Sequence, residues 1–199
     1  MADKTARRPL TSRPLDFFYV LFFAVHLVAS CLIDSQVFLP AHFVPAPLSA
    51  VLDTFLRDTN DPLMRSALEG RRDNAWFLAA LVGEMAIQLP IFALGIVALL
   101  KDDKRIYPVL ILYASVAGIT TAQVLATYFV GDERFLLTSH NIVALLQAHA
   151  LWAITPPILL VDMTARCVGI IGEATRLASE QQQQQQQPRQ HKAKDRKKQ

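Results

Sequence analysis

Apolar residues along this chain collect in four long blocks rather than in the short mixed runs of a soluble domain. The blocks cover residues 17–39, 76–100, 106–130 and 141–161, and none of them contains Lys or Arg. At ~1.5 Å of rise per residue, each helix would reach across ~30 Å of hydrocarbon. A closed barrel would instead show alternating segments of about ten residues, and these are absent. The blocks therefore read as helices that satisfy their own backbone, and the expected fold class is an all-α, integral membrane four-helix bundle. The first block is too long for a signal-peptide core, and Asp34 stands where small residues would mark cleavage. In the link at 40–74, Leu48, Val51, Leu52, Phe55 and Leu56 follow helical spacing. That amphipathic helix caps the mouth of the bundle, lies at the membrane surface, or is a surface helix with no role beyond packing. The link at 101–105 is so short that spans two and three form an antiparallel hairpin.

Charge adds orientation. Of 199 residues 52% are hydrophobic, and the net charge is +3. The basic residues gather at Lys4, Arg7, Arg8 and Arg13, at Lys101, Lys104 and Arg105, and in the tail that ends in Lys197 and Lys198. Arg134 is the only one in the link between spans three and four, and acids dilute those of the first link. The excess of Lys and Arg places both termini and the second link in the cytosol, with links one and three on the lumenal side. Cys31 and Cys167 then fall at opposite ends of the bundle, and no disulfide is expected.

The chain divides into a basic cytosolic segment at 1–14, a four-helix membrane domain at 15–166 and a Gln-rich basic tail at 167–199. The Gln run at 181–187 cannot bury apolar surface, so the tail is expected to be disordered. Its charge suits topology, attraction to anionic lipid, or a retrieval address, since Arg196-Lys197 approximates a dilysine signal.

Polar groups inside the spans carry the chemistry. They are His26, Asp34 and Gln36 on span one, and Glu84 and Gln88 on span two. Thr120, Thr121 and Gln123 follow on span three, with Gln147, His149 and Trp152 on span four. Counted from the lumenal end, Asp34 lies ~7 Å deep, Glu84 and His149 ~12 Å, Thr121 ~14 Å and Trp152 ~17 Å. Side chains from four helices at similar depth make either a pocket or a structural polar layer, and the spacing leaves both open. Glu84 and Gln88 share a helical face. Pro90 frees a carbonyl and permits a kink beside them. If Asp34 and Glu84 meet, one holds a proton and gives it to the other, leaving a single negative charge that suits an amine. Trp152 and Tyr128 would offer that amine aromatic faces. Proton transfer on a sterol double bond is the catalytic alternative, but span three brings no carboxylate. No metal-ligand cluster, phosphate loop or nucleophile constellation is visible, so neither cofactor nor nucleic acid is expected.

These residues resemble the sigma-2 receptor family within the EXPERA superfamily, which also holds sterol isomerases. The match runs over about residues 15–166. It rests on His26 to Asp34, Gln36, Leu39-Pro40, Asp61-Pro62-Leu63, Trp76-Phe77, Glu84, Gln88-Leu89-Pro90 and Phe92, with Thr120-Thr121 and Pro156 behind them. The resemblance implies a reticulum membrane bundle with a lipid-accessible pocket for sterol-like or cationic amphiphilic ligands, active in lipid homeostasis or trafficking rather than catalysis. In it Asp34 pairs with a ligand amine, Glu84 holds Asp34 through a shared proton, and Asp61 ties down the lumenal cover. Gln88, Thr121, Trp152, His26 and His149 (where a family tyrosine stands) complete the site, with Pro90 structural. It also allows a homodimer and membrane-protein partners. The Gln run and basic tail suit a fungal member, for which quality control of stray mitochondrial precursors is the alternative role. A Δ8-Δ7 sterol isomerase is the third and least favoured reading.

Overall fold

The computed structural model describes residues 8–130 and 137–196, with side chains described up to 129 and from 137 to 184. Lys4, Arg7, Arg134, Lys197 and Lys198 lie outside these residues. Among the described residues all regular structure is helical. Four stretches are long and apolar enough to cross a membrane: Pro14–Val37, Ala75–Leu100, Lys104–Phe129 and Ser139–Gln184. Within the most apolar 18-residue window of each, between 22% and 28% is buried in the bundle. The outward faces carry Leu21, Val28, Leu94, Ile119, Ile154 and Val161, all exposed. A water-soluble bundle would not leave so many large apolar residues bare on every side, and lipid accommodates them.

Helix α1 (Pro14–Leu32) starts on a proline, whose missing N–H costs nothing in a first turn. It ends at Leu32, and a tight turn over Asp34–Val37 follows. Asp34 thus sits beyond the end of the α-helix, whereas the length of the apolar block predicts a helix to residue 39. The first link folds into α2 (Ala46–Thr59) and α3 (Pro62–Leu68). On α2, Leu52 is buried and Leu48, Phe55 and Leu56 are half-buried, as the periodicity predicts, but Val51 is exposed. Asn60 closes α2 in the left-handed conformation (φ 52°), which a short polar side chain tolerates. Buried Gln36 donates to the carbonyls of Leu32 (2.6 Å) and Leu48 (3.0 Å), pinning α2 beneath the first span.

Span two is interrupted. Helix α4 (Ala75–Gly83) gives way to one π-helical turn over Glu84–Gln88 before α5 (Leu89–Leu100). The Leu89 N–H reaches back five residues to the Glu84 carbonyl. Pro90, at the start of α5, has no N–H to continue the normal ladder, so the predicted break takes the form of a widened turn. Beyond the short link come α6 (Tyr107–Val130) and α7 (Ser139–Arg196), which pack along each other while α1 packs along α5. Gly95 lets α5 approach closely, since a Cβ there would stand 3.3 Å from Phe23 and Leu110.

The apolar interior forms two separate cores. One joins Phe22 and Phe23 of α1, Phe92 and Leu99 of α5, Leu110 and Tyr113 of α6, and Leu159 and Met163 of α7. The other joins Leu63 of α3, Phe77 and Leu81 of α4, Val124 and Tyr128 of α6, and Leu145 of α7. On α4–α5, α6 and α7 the polar residues of the sequence fall in the interval between these two sets.

At the end away from α2 and α3, charges hold the bundle together. Arg13 is 5% exposed and Asp16 1%. Arg13 bonds to Asp16 and donates to the Leu99 carbonyl at 2.9 Å. Arg166 of α7 donates to the other Asp16 oxygen at 2.6 Å and pairs with Asp162 at 2.7 Å. Arg8 reaches Asp102 in the second link at 3.2 Å. The N-terminal segment, the second link and the stretch of α7 around Arg166 therefore meet at one end of the bundle. An engineered glycosylation acceptor within residues 40–74 is expected to be modified, and one after Glu180 to stay unmodified. The opposite result would invert the orientation.

The tail departs from expectation. Composition predicts disorder after residue 167, yet α7 continues as a helix to Arg196. Residues 168–184 are exposed throughout, so no packing supports it. Gln, Glu, Ala and Arg are good helix formers, and a chain already nucleated in the membrane extends at one hydrogen bond per residue.

Candidate functional site

Between the two cores lies a cavity of about 160 Å³. Every binding residue named from the sequence borders it: His26, Asp34, Glu84, Gln88, Thr121, His149 and Trp152. Phe55 of α2 and Met64 of α3 close it from the cover. Phe77, Leu81, Ala117 and Val124 keep most of the remaining wall apolar.

The donors in this site are unevenly shared. Ser30, fully buried, donates to Glu84 Oε1 at 2.5 Å, and His26 Nε2 stands 3.4 Å from the same oxygen. Tyr113 Oη lies 3.2 Å from His26 Nδ1. One tautomer satisfies both sides of the ring: Nε2–H faces the carboxylate, and Nδ1 accepts from the phenol. The imidazole is clasped between Phe92 (centroids 4.4 Å apart) and Trp152 (4.2 Å), so it cannot turn away. Glu84 is thereby held from α1. Asp34 has no hydrogen-bond donor among the described residues, although it borders the same cavity. The sequence expects Asp34 and Glu84 to share a proton, and the structure places both on the wall of one cavity. No hydrogen bond joins them in this structure: the turn at Asp34–Val37 puts Asp34 beyond the end of α1 at Leu32, and Ser30 and His26 both address Glu84 Oε1.

A second polar group fastens the cover. Asp61 is 2% exposed and caps α3, its Oδ1 accepting from the N–H groups of Leu63 (2.9 Å) and Met64 (3.1 Å). Its Oδ2 accepts from Tyr128 Oη at 2.8 Å, across to α6. Tyr128 is thus a strut between α6 and the cover rather than the open aromatic face that the sequence suggested. Trp152 also has one face covered, by His26. His149 Nδ1 sits 2.8 Å from the Leu145 carbonyl, which can only accept, so Nδ1 carries the proton. Since Tyr128 gives its single proton to Asp61, His149 Nε2, 3.5 Å from that phenol, remains an acceptor at the cavity wall.

Two participants escaped the sequence reading. Ser30 lies one turn from His26 on the same face of α1, a spacing that could have marked it. Tyr113 offers no such signal, because its partner comes from another helix. Asp61→Asn is expected to lower stability in detergent by about 1–3 kcal/mol, because an amide can replace only part of the three bonds the carboxylate accepts. A melting temperature equal to wild type would reduce Asp61 to a surface residue of the link.

Four apolar helices around a polar-centred cavity, closed on one side by a folded link, define a multi-pass membrane protein with an internal pocket. Residues 47–163 match the model of the family described as EXPERA (EXPanded EBP superfamily). The chain belongs to that family. It is also similar to the sigma intracellular receptor 2 of Homo sapiens, with 27% identity over 164 residues covering 78% of this chain and 90% of the relative. The same receptor of Macaca fascicularis is 26% identical over the same shares.

Proposed function

We propose that the cavity binds an amphiphile with a cationic head and a sterol-like apolar body, within an endoplasmic reticulum protein that serves lipid homeostasis or trafficking. The observation that carries this reading is the contrast between the two carboxylates. Glu84 has its donors, while Asp34 borders a mostly apolar cavity without one. A half-buried carboxylate without donors on an apolar wall is costly, and an ammonium group relieves that cost directly. His149 Nε2 adds an acceptor for a second ligand N–H or O–H. The similarity to an intracellular receptor supports a binding rather than a catalytic role. The test is thermal-shift or radioligand binding of one amphiphilic amine and its uncharged isostere to the purified protein. Preference for the amine supports the proposal, and equal binding overturns it.

A second reading rests on the His26–Glu84 pair, which with Tyr113 forms a chain able to move a proton at the cavity wall. The corresponding chemistry is isomerisation of a sterol double bond. Conversion of a Δ8 sterol by the purified protein would establish it.

A further inference from the structure

A neutral imidazole has one donor nitrogen and one acceptor nitrogen. In His149 the donor is Nδ1, spent on the Leu145 carbonyl one turn back along α7, at 2.8 Å. The acceptor, Nε2, lies 3.5 Å from the phenol oxygen of Tyr128. That phenol has a single proton and a nearer claimant, Asp61 Oδ2 at 2.8 Å. With the proton turned to Asp61, Nε2 and the phenol face each other as two lone pairs. Among the described residues no other donor reaches Nε2, and His149 borders the cavity. The vacancy is open to a ligand.

One proton between two acceptors allows Tyr128 two arrangements. In the observed one it bonds Asp61, the cap of α3, and so ties α6 to the cover whose Met64 closes the cavity. In the other it bonds His149, and the cover loses that tie while a nearly buried carboxylate oxygen loses its donor. A ligand hydroxyl or N–H on Nε2 occupies the lone pair and removes the second arrangement. Ligand and closed cover then support each other, and such coupling is reciprocal. A ligand carbonyl at the same place would set a lone pair against Nε2 and gain nothing.

We propose that His149 sets the specificity of the cavity, selecting amphiphilic amines that also carry a hydroxyl or N–H donor. The bond from that donor to Nε2 keeps Tyr128 on Asp61 and the cover shut. Asp34 takes the ammonium and His149 the donor, so the preferred ligand is an amino alcohol rather than a simple amine. This role rests on the amine binding proposed above. Tyr128 is a positioning residue in it, acting through His149 and Asp61.

The test uses the full chain in nanodiscs and steroidal amines bearing one ring hydroxyl, its position varied. Each is compared with its deoxy, keto and uncharged analogues. Wild type should bind at least one hydroxylated amine about fivefold tighter than its deoxy analogue, the weight of one net hydrogen bond. The keto analogue should bind no tighter than the deoxy one. His149→Phe should erase the preference, and His149→Gln, which keeps an acceptor near Nε2, should retain part of it. Tyr128→Phe removes only the competing phenol and should keep it. Hydrogen exchange at the Leu63 and Met64 amides, both held by Asp61, should slow more under the hydroxylated amine than under the deoxy one at equal saturation. In Tyr128→Phe that difference should vanish. Amines that outbind their uncharged analogues without any hydroxyl preference, or with one that survives His149→Phe, would overturn the role of His149 and leave amine binding standing. A preference with no difference in exchange would overturn the link to the cover. Amines that bind no better than their uncharged analogues would overturn the underlying reading itself.

Discussion

Asp34→Asn is expected to cost a cationic amphiphile about 2–5 kcal/mol of binding, roughly thirtyfold to several thousandfold in Kd, the range for truncating one partner of a buried charge pair. Its uncharged isostere should lose little, because the substitution keeps shape and volume. Glu84→Gln should behave differently. Its remaining carbonyl can still accept from Ser30, and the carboxylate that faces the ligand is Asp34, so amine binding should fall by less than for Asp34→Asn. The measurement is binding of the amine and isostere to wild type and both variants. Equal losses for amine and isostere would turn the cavity wall into a structural polar layer, the alternative that spacing along the spans leaves open.

Asp16→Ala should produce the largest loss of stability, about 3–5 kcal/mol, because it removes one carboxylate from between two arginines, one of them buried. Arg13 would keep the Leu99 carbonyl and a distant Asp102 at 3.6 Å, and Arg166 would keep Asp162. Replacing Arg13 and Asp16 together with Met and Leu should cost much less, since no buried charge is then left unmatched. Chemical denaturation in detergent compares the two. If the single variant melts like wild type, water rather than protein solvates these arginines.

The spans were legible because a bilayer imposes length and apolarity on each, a demand that any window of the sequence exposes. The cavity residues were legible for the complementary reason: Asp34, Glu84, Gln88 and His149 are polar where lipid should be. Their pairing was not. Nothing in the local sequence, neither glycine nor proline, marks the end of α1 at Leu32, so Asp34 looked like one more residue of a continuing helix. The serine that donates to Glu84 is an ordinary helix residue until the second span is packed against it. The break in span two was visible in Pro90, but its form, a widened turn that starts at Glu84, depends on where the backbone finds its bonds. In the tail, composition reported the lack of burial correctly and concealed that glutamine is a competent helix former.

The division of the interior into two cores has a consequence for how variants of this protein would be noticed. Each core is assembled from apolar side chains on its own side of the cavity. On the function proposed above, a substitution at Asp34 should leave a chain that folds and accumulates to normal amounts while losing the proposed ligand. Screens that score expression level would grade such a variant as healthy, whereas those that score lesions at Asp16 or Asp61 would find them at once.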